Sequence, residues 1–320
     1  PLNTAYCVSN VPSQVTFTVS NFQPAVSYQW FKNGSLLVDQ NGETYIDLSP
    51  PTTAGTTYYN VVATNGTCTF SASIPRPSVT VYSLPTVTAS STPTSICPGT
   101  SSVLSATGGT SYVWQPGSLI GNNLSVSPIA NTYYTVTATD ANTCSSTATT
   151  SVTMNPVPTV SITGSSSICE GGSLGTSVTG TISNYKWYQS NVLIPGAGSN
   201  TYIPLVSGSY SVQVTNSFGC TATSTPFSVT LYQKVITSAG VNQQVCAGSD
   251  VNLNGSISGG TNNGTWTTSG TGNFNLATSP ITFYTPSASD IALGSFVLTL
   301  TSIDPAGPCN STSSSINITI

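Results

Sequence analysis

The sequence contains no histidine, and only four basic and eight acidic residues occur among its 320 residues. Without histidine, a Ser-His-Asp triad, a Cys-His nucleophile and a His-ligated metal centre are all excluded. Charged residues make up 4% of the chain, whereas globular domains average about 25%. So few basic side chains form no surface for nucleic acid or for an anionic membrane. We therefore expect a protein that is not an enzyme and has neither a cofactor nor a nucleic-acid partner.

The few acidic side chains offer little for a hydrolytic or calcium site. Glycoside hydrolysis needs two carboxylates about 5 to 10 Å apart, and Asp39, Glu43 and Asp47 form the only acidic cluster. Because they follow a predicted hairpin turn, we interpret them as part of a solvated loop. Calcium between modules needs several carboxylates at one joint, and no acid lies nearer to a joint than Asp250 or Glu170. The sequence thus predicts no metal site.

Long apolar segments are also lacking. No apolar run is long enough to span a bilayer, so no membrane insertion is expected. The chain begins at Pro1 without a signal peptide. We interpret its start and its end as cuts through a longer repeat protein.

The cysteines and tryptophans follow one pattern that occurs four times. Each copy has a cysteine, a tryptophan, an aromatic residue that opens an alternating strand, and a second cysteine. The copies are Cys7, Trp30, Tyr59 and Cys68; Cys97, Trp114, Tyr134 and Cys144; Cys169, Trp187, Tyr210 and Cys220; and Cys246, Trp266, Phe296 and Cys309. Such self-similarity indicates an array of like modules. We predict four domains, at residues 1–82, 83–155, 156–232 and 233–320, with the fourth divergent.

Each predicted domain contains one pair of cysteines. Small domains bury a limited share of their surface, and a covalent cross-link stabilises them. We therefore predict one disulfide within each domain. The predicted pairs are Cys7 with Cys68, Cys97 with Cys144, Cys169 with Cys220 and Cys246 with Cys309. Disulfides persist in oxidising compartments, so we expect an extracellular or periplasmic protein.

Alternating apolar and polar residues indicate β-strands throughout the chain. In the third copy, Tyr210, Val212 and Val214 alternate with polar residues, which is the period of a half-buried strand. No segment has helical periodicity longer than one turn. We predict an all-β protein of four tandem immunoglobulin-like β-sandwiches. Their short joints, two of them containing proline, would stack them into an extended rod of roughly 150 Å.

Several segments resemble a known group of repeats. WFKNGSLL, ICPGTSSVLSATGG and KWYQSNVLIPGAGSNTYIPLVSGSYSVQVTNSFGC are similar to the immunoglobulin-like and PKD-like repeats of very large secreted surface proteins of Bacteroidota. That group includes gliding-motility adhesins and other cargo of type IX secretion. The resemblance covers nearly the whole chain and is weakest in the fourth domain. It implies β-sandwich stalk or adhesive modules at the cell surface and no catalytic residues.

One departure from antibody domains concerns the second cysteine. It comes nine or ten residues after Tyr59, Tyr134 and Tyr210, whereas in antibody domains the spacing is about two residues. We predict a disulfide at one pole of each sandwich, between the start of the second strand and the F–G hairpin. The four tryptophans would pack in the cores independently, together with Tyr59, Tyr134, Tyr210 and Phe296.

Aromatic residues beside the core tryptophans suggest an alternative function. Tyrosine and phenylalanine rings on a sandwich face can stack on sugars, and the candidates are Tyr28, Phe31, Tyr112, Tyr185 and Tyr188. The alternative interpretation is that they cover the sheet or pack at a joint. Lys32 and Lys186 neighbour tryptophans on strands and are expected to face solvent, which argues against lysine cross-links.

The leading hypothesis is a non-catalytic stalk or filament segment of a secreted cell-surface adhesin. Its partners would be further repeats of the same chain, other surface proteins or further copies in a fibre, in which edge strands such as SINITI pair with another chain. The alternative is a polysaccharide-binding module that uses the exposed aromatic residues.

Overall fold

The computed structural model describes residues 3–24, 26–71 and 76–320. The chain forms two compact units, Pro1–Asn155 and Pro156–Ile320. Alternation sets the strands: in the strand Thr132–Thr139, Tyr134, Val136 and Ala138 are buried and the residues between them are not. The prediction of an all-β protein is confirmed, with one short helix as the exception.

The first sandwich contains strands β1 to β8. Its larger sheet has the order β1-β8-β6-β3-β4, with β7 also paired to β6, and its smaller sheet is β2-β5. The strands are β1 (Thr4–Cys7), β2 (Val15–Thr18), β3 (Ser27–Lys32), β4 (Ser35–Leu36), β5 (Thr44–Asp47), β6 (Gly55–Asn65), β7 (Cys68–Ser71) and β8 (Ser78–Tyr82). Trp30, Phe17 and Tyr59 lie in the core between the sheets.

The second sandwich has a five-stranded sheet, β10-β16-β15-β12-β13, and a three-stranded sheet, β14-β11-β9. The strands are β9 (Thr88–Thr92), β10 (Ser95–Ile96), β11 (Ser102–Thr107), β12 (Ser111–Gln115), β13 (Leu119–Ile120), β14 (Asn123–Val126), β15 (Thr132–Thr139) and β16 (Ser145–Met154). Its core contains Trp114, Tyr134 and Leu104.

The third sandwich repeats this arrangement in the second unit. One sheet has the order β18-β25-β23-β20-β21, with β24 also paired to β23, and the other is β17-β19-β22. The strands are β17 (Val160–Thr163), β18 (Ser167–Cys169), β19 (Leu174–Val178), β20 (Ile182–Gln189), β21 (Val192–Leu193), β22 (Thr201–Tyr202), β23 (Gly208–Asn216), β24 (Thr221–Thr223) and β25 (Phe227–Tyr232). Trp187 and Tyr210 are buried in its core.

The fourth sandwich is divided into three sheets, β27-β34-β33-β30, β28-β32-β31 and β26-β29. Its elements are β26 (Ile236–Ser238), β27 (Gln243–Gln244), β28 (Val251–Asn254), β29 (Ser256–Ser258), β30 (Gly264–Thr268), β31 (Asn273–Phe274), β32 (Ile281–Thr285), α1 (Ala288–Leu293), β33 (Ser295–Ser302) and β34 (Ser313–Thr319). Trp266, Tyr284 and Phe296 are in its core.

The expectation that SINITI forms an edge strand is wrong. This segment belongs to β34, which is antiparallel to β33 along its length and parallel to β27 at its end. Because strands lie on both sides of its last residues, the end of β34 is not open to another chain.

Candidate functional site

The cysteines fall into two structural classes. Strand-end cysteines, Cys7, Cys97, Cys169 and Cys246, lie at or just after a short strand that runs parallel to the last strand of its sandwich. Turn cysteines, Cys68, Cys144, Cys220 and Cys309, lie in or beside the F–G turn, which we define as the connection that follows β6, β15, β23 or β33.

The two classes occupy opposite ends of each sandwich. Cys7 is paired with Tyr82 and Cys169 with Tyr232, which are the residues where the last strands of their sandwiches end. Turn cysteines follow β6, β15, β23 and β33, and Cys144 immediately precedes β16, the last strand of its sandwich. In the second sandwich the last strand is β16, with 10 residues, so its two ends are about 30 Å apart at 3.3 Å per residue. Cysteine Cα atoms must lie within about 7 Å to form a disulfide, so one sandwich cannot join its own two cysteines.

Disulfides instead connect consecutive sandwiches. Cys7 of the first sandwich is bonded to Cys144 of the second, with their Cα atoms 5.5 Å apart. Cys169 of the third is bonded to Cys309 of the fourth, at a Cα separation of 5.1 Å. Each bond joins a strand-end cysteine to the turn cysteine of the following sandwich.

The four predicted disulfide pairs are therefore wrong. Cys97 and Cys220 each take part in a disulfide as well, whereas Cys68 and Cys246 are free and exposed. The prediction placed both cysteines of a domain at one pole; the parallel register of the strand-end cysteine puts it at the other. Cys7 and Cys169 lie at strand ends, and the predicted separation of the sulfurs from the core tryptophans stays a prediction.

Local hydrogen bonds fix the conformation of the turns that contain Cys144 and Cys220. The Asp140 carboxylate accepts hydrogen bonds from the backbone N–H groups of Asn142 and Cys144, both at 2.9 Å. In the third sandwich the Asn216 side-chain oxygen accepts in the same way from Phe218 and Cys220, at 3.0 and 2.9 Å. An Asp or Asn four residues before the cysteine thus folds the turn around its own side chain.

The strand-end cysteines share a different turn. In all four, the cysteine carbonyl accepts a hydrogen bond from the N–H of the residue three positions later. The distances are 2.8 Å for Cys7 and Asn10, 3.1 Å for Cys97 and Thr100, 2.8 Å for Cys169 and Gly172, and 3.0 Å for Cys246 and Ser249. The chain therefore reverses directly after each strand-end cysteine.

The eight aromatic core residues proposed from the sequence are all buried: Trp30, Trp114, Trp187, Trp266, Tyr59, Tyr134, Tyr210 and Phe296. Each indole N–H donates to a backbone carbonyl, at Gly42, Gly121, Ser199 and Pro280 respectively, over 2.9 to 3.2 Å. Burying the ring therefore leaves no indole N–H unpaired.

The five aromatic residues proposed to face a ligand separate by their position relative to tryptophan. Tyr28, Tyr112 and Tyr185 lie two residues before it and share its inward face; Tyr28 is 6% exposed, and Tyr112 and Tyr185 pack against their cores. A ligand-facing role for Tyr28 is wrong because the ring is buried, whereas for the half-buried Tyr112 and Tyr185 it stays a prediction. Phe31 and Tyr188 follow tryptophan by one residue and lie on the outer face, half-buried.

Phe31 also lines an open groove on the first sandwich. The groove has a volume of about 480 Å³ and includes Tyr58 and Arg76. Tyr58 is 51% exposed, so an aromatic ring and a guanidinium group are both accessible there.

Asp47 departs from its prediction as a loop residue. It is buried on β5, and its carboxylate accepts from the Lys32 ammonium at 2.7 Å and the Tyr59 hydroxyl at 2.5 Å. Burial raises the pKa of Asp47, but hydrogen bonds from Lys32, Tyr59 and the Ser49 N–H outweigh it and lower the pKa below its ordinary value. Burial and the Asp47 carboxylate raise the pKa of Tyr59. Lys32 is therefore not a solvent-facing lysine, whereas Asp39 and Glu43 are exposed as expected.

Asp290 was not anticipated from the sequence. It is fully buried in α1, and its carboxylate accepts from the Tyr284 hydroxyl at 2.8 Å and from the backbone N–H groups of Thr271, Gly272 and Ser287 at 2.7 to 3.0 Å. Burial opposes ionisation, but these donors lower the pKa of Asp290 to about 2. The available signal was Ser287-Ala-Ser-Asp290, a capping-box pattern.

Within the part of the chain that the structure describes, no group of His, Cys, Asp and Glu side chains is placed to hold a metal ion. In the same residues, no helix has the length and apolar character of a membrane span. The clustered functional groups are therefore the cysteines, Asp47 with its partners, and Asp290 with its partners.

No protein-family model matches the chain, and no curated protein sequence is significantly similar to it. Solved structures with a similar fold include the insect immune protein hemolin, 12% identical over 96% of this chain and 95% of hemolin, with a TM-score of 0.34. Immunoglobulin domains 1–4 of Sidekick-1 are 13% identical over 100% of this chain and 97% of theirs, with a TM-score of 0.26. A structure from a 1.5-MDa bacterial ice-binding adhesin is 14% identical over 74% of this chain and 97% of its own, with a TM-score of 0.29.

These likenesses concern the fold alone. The predicted fold class of tandem immunoglobulin-like β-sandwiches is confirmed by the paired sheets and their cores. The predicted origin in Bacteroidota and the type IX secretion route stay predictions.

Proposed function

We propose that the chain is a non-catalytic stalk segment of a secreted cell-surface adhesin, of the kind that the repeat resemblance implies. The observation that carries this proposal is the bond between consecutive sandwiches, Cys7 to Cys144 and Cys169 to Cys309. Each such pair of sandwiches is joined twice, once by the backbone and once by a disulfide. A joint with two covalent connections bends and twists less than a single linker, which suits a spacer that holds a binding region away from the cell.

The polar side chains, both buried and exposed, support a mechanical role. The buried carboxylates, Asp47 and Asp290, are both used in hydrogen bonds within their sandwiches. Disulfides are typical of extracellular proteins, and the surface relies on Ser, Thr and Asn instead of charge. We place the protein outside the cell, with secretion by the type IX route and a part in gliding motility as finer proposals.

Small-angle X-ray scattering of the oxidised chain tests the stalk proposal. A rod of four stacked sandwiches, about 150 Å long, has a radius of gyration of roughly 43 Å, whereas a compact 320-residue protein has about 20 Å. We expect a value above about 35 Å. A value near the compact limit would contradict an extended stalk.

A second candidate is polysaccharide binding at the groove that contains Phe31, Tyr58 and Arg76. Co-sedimentation with insoluble polysaccharides would measure it, with Tyr58→Ala as the groove variant and Tyr188→Ala, on the third sandwich, as a variant outside the groove. Tyr133→Ala is the matched control, because Tyr133 is 79% exposed and lies on the second sandwich. Binding that is lost in Tyr58→Ala and kept in Tyr133→Ala would favour this function; equal binding by all three variants would exclude the groove.

A further inference from the structure

The two free cysteines belong to different structural classes. Cys68 is a turn cysteine of the first sandwich, and Cys246 is a strand-end cysteine of the fourth. Each observed bond between consecutive sandwiches uses one of each class, with the strand-end cysteine in the earlier sandwich. If the same pairing of cysteine classes extends to one more sandwich on either side, Cys68 needs a strand-end cysteine as its partner and Cys246 needs a turn cysteine.

Cys246 has the turn of the bonded strand-end cysteines. Its carbonyl accepts from the residue three positions later, as in Cys97 and Cys169. The glycine two residues after the cysteine has a positive φ in each case, +83° at Gly99, +89° at Gly171 and +83° at Gly248. Cys246 lies two residues beyond β27, whereas Cys169 is the last residue of β18.

Cys68 has the location of the bonded turn cysteines without their burial. Cys144, Cys220 and Cys309 are 0%, 1% and 3% exposed, and all three are disulfide-bonded. Cys68 directly follows the F–G turn, paired with Asn65 across the β6–β7 hairpin, and it is exposed. Cys144 and Cys309, each bonded to the preceding sandwich, are thus buried, whereas the free Cys68 is exposed.

We infer that Cys68 and Cys246 are half-sites for disulfides to further immunoglobulin-like sandwiches that carry the complementary cysteine. Cys68 takes a strand-end cysteine, and Cys246 takes a turn cysteine. Either bond forms when one thiolate attacks a mixed disulfide on the other sulfur. Two thiols lose two protons and two electrons, and a disulfide oxidant accepts the electrons and is reduced to two thiols. This inference rests on which class of cysteine pairs with which, and not on the proposed adhesin function. A small-angle scattering profile typical of a compact protein would therefore not contradict it.

A second copy of the chain supplies both complementary partners, and two variants make the test specific. Cys68→Ser retains only the Cys246 thiol, and Cys246→Ser retains only the Cys68 thiol. Equal amounts are mixed in a buffer of reduced and oxidised glutathione, and the dimers are separated without reductant. Random coupling gives twice as much mixed dimer as either homodimer. We expect the ratio of mixed dimer to either homodimer to exceed the random ratio at least about tenfold, which corresponds to a preference of about 1.4 kcal/mol, with Cys68–Cys246 linked peptides in mass spectrometry.

Three outcomes would overturn the inference: a random dimer distribution, homodimers in excess, or only glutathione-capped monomers. Wild-type chain that loses both thiols while remaining monomeric would also overturn it, because Cys68 and Cys246 would then pair within one molecule. The double variant Cys68→Ser/Cys246→Ser controls for folding. It should unfold at the wild-type temperature and form no dimers.

Discussion

Cys7 and Cys144 are 137 residues apart in sequence and bonded to each other, so the first sandwich is tied to the F–G turn of the second. In the chain-entropy model, closing a loop of this length lowers the entropy of the unfolded chain by an amount worth about 5 kcal/mol. The bond bypasses the backbone linker between β8 and β9, and the two connections act in parallel. The joint thus survives the loss of either one.

Cleavage of that linker should leave the molecule in one piece. We expect a chain with a specific protease site inserted between Ser83 and Leu84 to run as a single species on a non-reducing gel after cleavage, and as two fragments after reduction. The control is the same insertion with Cys7→Ser, which should separate without reductant. Separation of the cleaved parent before reduction would contradict the observed pairing.

Gly108 should tolerate no side chain. It follows β11 with a φ of +98°, and an added Cβ would lie 1.9 Å from the carbonyl oxygen of Thr86 in the linker. Gly108→Ala should destabilise the chain by about 3 kcal/mol or more, because it adds a backbone overlap to the strain of a positive φ. Gly99→Ala is the control, since Gly99 has a φ of +83° and no atom within 4 Å of an added Cβ. It should cost only about 1 kcal/mol. Urea unfolding measures both, and equal losses would contradict the overlap.

Asp290 should make the fourth sandwich sensitive to acid. Its pKa of about 2 lies below the ordinary value of 3.8. A carboxyl group with a lowered folded-state pKa stabilises the protein above the unfolded pKa, and this contribution is lost as pH falls from about 4 to about 2. The difference is worth about 2 kcal/mol.

Asp290→Asn should remove that part of the pH dependence and destabilise the protein by about 2 to 4 kcal/mol at pH 7, because its amide N–H₂ group faces buried backbone donors. Asp250→Asn is the control, because Asp250 is exposed and bonds only to the Thr285 hydroxyl among the described contacts. Urea unfolding at several pH values decides the matter. Unchanged acid sensitivity in Asp290→Asn would contradict the prediction.

Lys32 should contribute more to the stability of the folded protein than its partly exposed position suggests. Lys32→Met leaves the buried Asp47 carboxylate without its cation and should cost about 2 kcal/mol at neutral pH, less than a fully buried pair because the lysine side chain is 27% exposed. The loss should shrink as pH falls below about 4, since protonated Asp47 needs no counter-ion. Lys186→Met, at an exposed lysine, should change stability by less than about 0.5 kcal/mol. Equal effects of the two substitutions would contradict the ion pair's role.

The repeated pattern of cysteines, tryptophans and alternating strands predicted much of the fold, because strands and core positions depend on local sequence periodicity. Alternation identified strands such as β15 and β33, and one tryptophan per copy marked each core. The same period-2 rule, applied consistently, would have placed Tyr112 and Tyr185 inward, since each lies two residues before a tryptophan. Helix α1 was missed because its 6 residues are too few for helical periodicity to register.

The disulfide pairs could not be predicted from landmark order alone. Pairing depends on which end of a sandwich each cysteine reaches, and that follows from the parallel register of β1 on β8 and of β18 on β25. Parallel pairing between strands distant in sequence leaves no local signal. Asp47 was likewise misjudged, because its lysine and tyrosine partners lie on β3 and β6 and approach it only in the folded sandwich.

The Cys7–Cys144 link also ties oxidation to the folding of a second sandwich. During synthesis Cys7 appears first, but its partner lies 137 residues later in a turn of the following sandwich. Cys68 lies nearer in sequence, so oxidation of Cys7 before the second sandwich folds would give an incorrect pair. Closure of the Cys7–Cys144 bond therefore depends on the folding of both sandwiches.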